Sequence, residues 1–230
     1  MRNTVWEQIP ANEIVAPESK KKISEIIAGA NRDQKTVLPI GGGNDLFTAN
    51  KQFDIGIDLK NLASFFRHTP EDLTATFPAG MLFSEAQEKL EESGQWIPLN
   101  PPENGTSTVG GVISANRFGP RRHRHGTARD WVIATTVVNG EGKIVKAGAN
   151  VVKNVSGYDL NKLYIGARGT LGILLDISFK LAPIPEKRIT FRACFSTPEE
   201  AMGMSNQINN SPVEVEALTV VKGRWTAAKA

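Results

Sequence analysis

Residues 38–47 read LPIGGGNDLF, with three consecutive glycines in the middle of the stretch. The apolar residues 37–40 before them are typical of the end of a buried strand. Glycine loses more backbone freedom on folding than any other residue, so such a run is costly in regular structure. Three together indicate a loop that needs positive φ, or a backbone that a large group approaches closely. A tight surface turn is the alternative that this stretch alone leaves open.

Two common phosphate-binding loops are excluded at this position. A Walker loop requires GxxxxGK[ST], and no Lys-Ser or Lys-Thr pair follows the glycines. The Rossmann fingerprint requires a third glycine where Leu46 stands, and the residues after it are a poor helix start. Consecutive backbone amides can still form a concave nest for an anion.

Two further glycine segments each lie beside an apolar element. Residues 106–111 read TSTVGG and supply hydroxyl groups and amides ahead of a possible helix. Residues 166–173 read GARGTLGI and precede an apolar strand. Three such loops together predict one long ligand between two subdomains.

The apolar pattern predicts both helices and strands along the chain. Helices are expected after a cap at residues 17–19 and at 83–90, 158–164 and 198–209, and strands at 36–40, 55–59, 73–77, 131–138, 143–146, 171–181, 189–195 and 213–221. Because the two types mix without strict βαβ alternation, the predicted fold class is α+β. A change of composition near residue 97 predicts two subdomains, about 10–96 and 97–186. Residues 187–230 begin a third unit that stops early.

Composition and charge exclude several classes of protein. The 230 residues suffice for one large domain or two small ones with an apolar core. No window approaches the roughly 18 uninterrupted apolar residues of a membrane helix, and the first residues lack a secretory signal. With Cys194 as the single cysteine, no intrachain disulfide or cysteine-based metal site is expected. The pattern is typical of a cytoplasmic protein, and the net charge of +3 does not indicate a nucleic-acid binder.

Basic residues crowd one segment of the chain. They are Arg117, Arg121, Arg122, Arg124 and Arg129, with His123 and His125 among them. A solvated loop, a site for a polyanionic ligand and a docking surface for an acidic partner all remain open. A metal pair at the histidines is disfavoured, because no third ligand is near and the flanking arginines repel a cation. No metal is expected.

Six segments follow one another in unbroken order over roughly residues 10–185. They read PIGGGNDL, PAGMLFSEAQEKL, PENGTSTVGGVISAN, FGPRRHRHGTARDWV, VVKNVSGYDLNKLYIGARGTLGIL and LAPIP. This set resembles the FAD-binding domain of the vanillyl-alcohol oxidase/p-cresol methylhydroxylase (PCMH) family, and especially the FAD-binding subunit of bacterial glycolate oxidase. The resemblance implies a two-subdomain PCMH-type fold in residues 1–186, with residues 187–230 as a short, truncated cap.

The resemblance also implies which residues bind the cofactor. In that family the first glycine loop holds the FAD pyrophosphate, and a second loop runs along the ribityl chain and pyrophosphate. Further positions line the same cleft, and a strand start contacts the adenine or ring end. The corresponding residues are Ile40, Gly41, Gly42, Gly43, Asn44, Asp45 and Leu46 in the first loop, Thr108, Val109, Gly110, Gly111, Ala115 and Asn116 in the second, Pro78, Gly119 and Gly126 in the cleft, and Gly172 and Ile173 at the strand start.

Non-covalent attachment of FAD is a further implication. Many covalent members of the family carry a histidine directly after the loop glycines, where this chain has Asn44. None of the three histidines, His68, His123 and His125, lies in that loop.

Catalytic residues remain unassigned. Tyr158 and Asp159 could act as an acid–base pair near the flavin, or could pack a helix against the cofactor. Lys153 and Asn154 are equally ambiguous. No catalytic base is predicted.

The resemblance implies an FAD-dependent oxidoreductase subunit of a glycolate-oxidase-type 2-hydroxy-acid dehydrogenase assembly. Family members usually continue into a cap that covers the flavin, so a minimal cap, a short gene product or a completing partner is expected here. A larger flavin subunit and an iron–sulfur subunit are the expected partners, and a small 2-hydroxy acid is the expected substrate. The alternatives are a non-catalytic FAD-binding partner subunit without its own substrate site, and a scaffold that has lost the flavin.

Overall fold

The structure is a computed structural model that describes residues 9–45, 51–62, 66–102, 105–149 and 160–223. The strands within these ranges are β1 (Ala11–Val15), β2 (Val37–Ile40), β3 (Phe53–Asp58), β4 (Arg67–Thr69), β5 (Thr74–Pro78), β6 (Gln95–Trp96), β7 (Val132–Val138), β8 (Ile144–Gly148), β9 (Ile173–Lys180) and β10 (Ala182–Pro183). The helices are α1 (Lys20–Arg32), α2 (Phe83–Glu91), α3 (Val109–Ser114), α4 (Arg122–His125), α5 (Ala128–Trp131), α6 (Asn161–Tyr164) and α7 (Pro198–Asn209). The mixture confirms the predicted α+β class.

A three-stranded parallel sheet in the order β1-β3-β2 opens the chain. Helix α1 connects β1 to β2, because parallel strands need a crossover connection. Ser19 caps α1 as predicted, since its side chain accepts a hydrogen bond from the Lys22 backbone N–H at 3.2 Å. Ile23, Ile27 and Ala30 recur at helical spacing and are buried. The capped, amphipathic helix therefore buries its apolar side in the core, where the helix contacts β7.

A five-stranded antiparallel sheet in the order β4-β5-β9-β7-β8 forms the second layer. The neighbouring strands β7 and β8 are the predicted hairpin, and Gly142 takes φ 80° in the turn between them. Strand β9 is central and is buried from Ile173 to Phe179. Because β5 pairs with β9, strands from both sides of residue 97 share this sheet. The predicted subdomain break near residue 97 does not coincide with the boundary between the sheets.

One continuous cluster of buried apolar side chains joins the two sheets. It contains Ile57 of β3, Phe77 of β5, Leu90 of α2 and Ile177 of β9, all fully buried. Full burial of such a side chain stabilises the fold by about 1.5–3 kcal/mol. The loops that follow β2 and β5 are thus held in fixed positions relative to each other.

Two polar contacts also hold α1 against the five-stranded sheet. Lys20 forms an ion pair with Asp176 of β9. The Ser24 hydroxyl donates a hydrogen bond to the Gly142 carbonyl in the β7–β8 turn. Helix α1 of the N-terminal unit therefore packs directly against the five-stranded sheet.

The two strands predicted at 189–195 and 213–221 are wrong. Both segments are described, and neither forms a strand. Helix α7 between them does form, with Thr197 as its N-cap, but none of its twelve described residues is buried. A strand needs a hydrogen-bonded neighbour for its backbone groups, and these segments have none among the described strands. Phe191 consequently remains 88% exposed.

Candidate cofactor-binding site

A pocket of about 210 Å³ lies where the glycine loop after β2 faces the start of α3. Its described lining consists of Leu38, Pro39, Gly41, Gly42, Gly43, Asn44, Asp45, Phe53, Pro102, Ser107, Thr108, Gly111, Val112, Ser114, Ala115, Arg117 and Arg168. Residues from both predicted cofactor loops are among them. The structure therefore brings together two loops that lie more than sixty residues apart in sequence.

The first two glycines of the run are required by close packing between these loops. A Cβ atom on Gly42 would lie 1.7 Å from the carbonyl oxygen of Thr106, and one on Gly41 would lie 2.4 Å from Oγ1 of Thr108. Within the run only Gly43 takes a positive φ, of 80°. The glycines thus let one loop approach the other, and they leave the pocket wall free of side chains at these positions.

Asn44 ties the two loops together. Its Nδ2 donates to Oγ of Ser107 at 3.3 Å, and its Oδ1 accepts from the Thr106 hydroxyl at 2.8 Å. Asn44 therefore has a structural role at the position where covalent members of the family carry a histidine. Non-covalent attachment of the flavin stays a prediction.

Backbone hydrogen bonds anchor the second loop on the segment after β5. The Phe83 N–H donates to the Ser107 carbonyl, and the Val109 N–H donates to the Met81 carbonyl. The Gly110 N–H donates to the Ala79 carbonyl, and all three distances are 2.8 Å. Thr108 then caps α3, because its Oγ1 accepts from the N–H three residues on at 3.1 Å. This placement confirms that the second loop leads into a helix.

Gly110 has a packing role beside the pocket. A Cβ there would lie 2.7 Å from Cβ and 3.0 Å from the carbonyl oxygen of Ala79. The glycine therefore lets α3 lie directly against the chain that leaves β5.

Three of the remaining predicted residues contribute to the core. Ile40 and Val109 are fully buried, and Pro78 is buried at the end of β5, opposite Asp176. None of the three is among the residues that line the described pocket. Leu46, the last residue predicted in the first loop, lies outside the described residues, as do 150–159 with the ambiguous residues at 153, 154, 158 and 159.

The other predicted residues are not among those that line the described pocket. Asn116 follows α3 with φ 50°, and Gly119 packs so closely on Asn100 that a Cβ would lie 2.0 Å from its carbonyl oxygen. Gly126 ends α4 at φ 75°, and Gly172 leads into β9, where the following Ile173 is buried opposite Val138. Their role in cofactor binding remains a prediction.

Two arginines and one carboxylate line the described pocket. Arg117 forms an ion pair with Asp45 of the glycine loop, and this contact raises the pKa of the Arg117 guanidinium above its ordinary value. Arg168 takes φ 51°, and its backbone N–H donates to the Ser114 carbonyl at 2.8 Å. Neither Arg117 nor Arg168 was among the residues predicted from the sequence to bind the cofactor. The sequence did contain a signal for both residues, since Arg117 belongs to the arginine cluster and Arg168 to the third glycine segment.

The arginine cluster is divided between two places. Arg117 lies at the pocket, whereas the Arg121 Nε lies 3.0 Å from Glu216 and an Arg124 nitrogen lies 2.6 Å from Glu214. The acidic partners of this basic surface thus come from the C-terminal segment of the same chain. Two arginines of the surface predicted to dock an acidic partner are thus already paired with carboxylates of the same chain.

His125 lies at the centre of this contact. Its Nε2 lies 3.6 Å from a Glu216 oxygen, and its carbonyl accepts a hydrogen bond from the Trp131 indole at 2.7 Å. Its ring packs edge-on against Trp96, with centroids 5.5 Å apart. Burial lowers the pKa of His125, although the nearby Glu216 carboxylate opposes this shift.

The described part of the chain contains neither a cluster of metal ligands nor a membrane-spanning helix. No group of three or more His, Cys, Asp or Glu side chains is arranged there to hold a metal ion. No helix there is sufficiently long and apolar to cross a membrane.

Comparison with known proteins identifies the class. The model of a family described as FAD binding domain matches residues 11–148. Glycolate oxidase subunit GlcD of Bacillus subtilis is 32% identical over 190 residues, which are 82% of this chain and 40% of that protein. Glycolate oxidase subunit GlcE of Escherichia coli is 33% identical over 186 residues, which are 80% of this chain and 53% of that protein.

A mitochondrial D-lactate dehydrogenase [cytochrome] of Arabidopsis thaliana is 29% identical over 90% of this chain and 37% of its own length. A solved structure of alkyldihydroxyacetonephosphate synthase shares the fold, with a TM-score of 0.64 at 22% identity, over 76% of this chain and 32% of that one. The chain spans about half or less of the length of these relatives.

The chain belongs to the FAD-binding domain family, since the family model covers more than half of it. The predicted PCMH-type fold and the FAD cofactor are confirmed. The pocket fits the charged part of this cofactor, because it combines side-chain-free backbone at the glycines with two arginines. Its 210 Å³ is below the roughly 300–1,000 Å³ of a pocket for a drug-sized ligand, so it matches a pyrophosphate better than a whole dinucleotide.

Proposed function

We propose that the chain is the FAD-binding part of an oxidoreductase that oxidises small 2-hydroxy acids, of the glycolate-oxidase type. The observation that carries this proposal is the arginine-lined pocket between the two glycine loops, in a chain of the FAD-binding domain family. Relatives named as glycolate oxidase subunits and D-lactate dehydrogenase support the substrate class. These names refer to glycolate and D-lactate, which are both 2-hydroxy acids.

The residues of this chain would serve binding and positioning. The backbone of Gly41–Gly43 and the capped start of α3 would hold the pyrophosphate, with Arg168 supplying positive charge beside the Asp45–Arg117 ion pair. Asn44 would keep the two loops at a fixed separation. A bound flavin supplies hydride-acceptor chemistry, which amino acid side chains do not provide.

We further propose that residues 1–186 form the cofactor domain and residues 187–230 the start of a separate unit. The fall in burial supports this division, since Leu181 is buried and every residue from 186 to 200 is exposed. The 2-hydroxy acid would then be held in part by protein beyond the described pocket. A larger flavin subunit and an iron–sulfur subunit remain the proposed partners.

Purification followed by flavin analysis tests the cofactor and substrate class. We expect stoichiometric FAD, and bleaching of the flavin absorbance on anaerobic addition of glycolate or D-lactate when the proposed partner subunits are present. Purified chain without partners should bind FAD and bleach slowly or not at all. FAD-loaded protein that no 2-hydroxy acid reduces in either preparation would contradict the substrate class.

The alternative is a non-catalytic FAD-binding partner subunit, favoured by the similarity to a protein that is itself named a subunit. This alternative predicts electron transfer to the flavin only from another flavin subunit. Rapid reduction of this chain's FAD by a 2-hydroxy acid, in an assembly whose larger flavin subunit has been freed of its own flavin, would exclude it.

A further inference from the structure

Asp45 presents a physical problem for an anion site. Asp45 lines the pocket two residues after the last of the three glycines. A negative charge within a few ångströms of a pyrophosphate repels it, and a partly enclosed pocket weakens solvent screening. Asp45 should therefore oppose the binding of FAD unless its charge is compensated.

Arg117 is placed to provide this compensation. It lies 72 residues further along the chain, beyond α3, and its guanidinium donates to Oδ1 of Asp45. Both side chains are partly exposed, at 36% and 29%, and both line the pocket. Their ion pair thus lies within the proposed site.

The charges of the described lining support this role. Asp45 is the one acidic residue in it, and Arg117 and Arg168 are the two basic ones. The Asp45–Arg117 ion pair is neutral as a unit, so it adds no net charge to the lining. Without Arg117, the ionised carboxylate of Asp45 would lose this partner in a pocket that has to accept a pyrophosphate.

We infer that Arg117 is a positioning residue that neutralises Asp45, so that the glycine loop can accept the FAD pyrophosphate. This inference rests on the proposed placement of the pyrophosphate in the pocket. It assigns to Arg117 a role through Asp45 and no catalytic function. The Asp45–Arg117 pair would set the affinity for the cofactor without taking part in its chemistry.

A double-mutant cycle on FAD affinity tests the inference. Dissociation constants are measured by quenching of FAD fluorescence for wild type, Arg117→Met, Asp45→Asn and the double variant, each prepared free of flavin. We expect Arg117→Met to weaken binding about 10- to 100-fold, the range typical of one uncompensated charge. Asp45→Asn should bind at least as tightly as wild type, and the double variant should return to within about threefold of it.

Two controls separate charge compensation from a structural role. Arg117→Lys keeps the positive charge and should retain most of the affinity, and added salt should weaken the defect of Arg117→Met because repulsion is screened. Melting temperatures without FAD report whether each variant is folded. A double variant as weak as Arg117→Met, or an Arg117→Met variant with wild-type affinity, would overturn the inference.

Failure here is distinguishable from failure of the proposed function. If the cycle fails while 2-hydroxy acids still reduce the flavin, only the role of Arg117 is wrong. If the cycle succeeds while no 2-hydroxy acid reduces the flavin, only the substrate class is wrong.

Discussion

At Gly42 a single Cβ atom would lie 1.7 Å from the carbonyl oxygen of Thr106, a distance that only movement of the backbone can relieve. We predict that Gly42→Val abolishes stoichiometric FAD binding, because the first loop would be pushed away from the second. The loss of two or three charge-assisted contacts corresponds to roughly 3–6 kcal/mol. Flavin content and FAD titration measure the effect, and Gly140→Val is the matched control, since no atom lies within 4 Å of its Cβ position. Retention of stoichiometric FAD by the Gly42 variant would show that the pyrophosphate lies elsewhere.

Asn44 is the residue from which we predict how the cofactor is attached. Its amide is held between Thr106 and Ser107 and offers no imidazole nitrogen for a bond to the flavin. We predict that acid precipitation releases all of the FAD into the supernatant. The absorbance of supernatant and pellet at the flavin band gives the answer, and yellow colour that stays in the washed pellet would contradict the prediction.

At the scale of elements, α3 depends on its approach to the end of β5. Gly110→Ala would place a methyl group 2.7 Å from Cβ of Ala79, so we predict a loss of about 1–3 kcal/mol in the free energy of unfolding. FAD affinity should fall as well, because α3 carries part of the pocket lining. Urea unfolding followed by circular dichroism measures the stability change.

Gly29→Ala in α1 is the matched control for that helix substitution. Its Cβ position meets only the end of the Arg32 side chain, at 3.9 Å. Alanine is favoured over glycine inside a helix, so this variant should be more stable by about 0.5–1 kcal/mol and bind FAD normally. Equal effects of the two substitutions would refute the packing role of Gly110.

At the scale of the whole molecule, charged contacts tie the C-terminal segment to the cofactor domain. Glu216 lies within 4 Å of Arg121, His125 and Arg188, while none of the described residues of α7 is buried. We predict that Glu216→Gln, or high salt, increases the rate of tryptic cleavage after Arg192. The matched control is Glu199→Gln, at an exposed position in the first turn of α7. If neither the Glu216→Gln substitution nor high salt changes the rate of cleavage after Arg192, apolar contacts hold the segment instead.

The same contact predicts a pH dependence of stability. Burial lowers the pKa of His125 from its ordinary 6.5, Glu216 opposes the shift, and Arg124 and Arg121 add to it. The unfolded chain therefore binds the proton more readily, so this contribution is complete above about pH 6.5 and is lost as the pH falls toward the pKa of the folded state. We predict that the melting temperature of wild type decreases between about pH 7 and pH 5.5 by more than that of His125→Gln. Parallel pH profiles of the two proteins would contradict this assignment.

Local sequence determined much of the fold. The Ser19 cap and the apolar spacing behind it define α1, and the turn at 139–142 defines the β7–β8 hairpin, because each signal lies within about a dozen neighbouring residues. The glycine run marked the cofactor loop for a related reason, since its missing side chains are visible in the sequence alone. The ordered glycine motifs also identified the family.

Only the tertiary structure decided which residues meet. The Thr106 carbonyl explains why Gly42 must lack a side chain, and Asp45 meets Arg117 across 72 positions of sequence. The alternating sequence at 189–195 forms no strand, because no other described strand is present to pair with it. Local patterns encode the conformation of a segment, whereas pairing and charge compensation depend on how the two sheets place distant segments side by side.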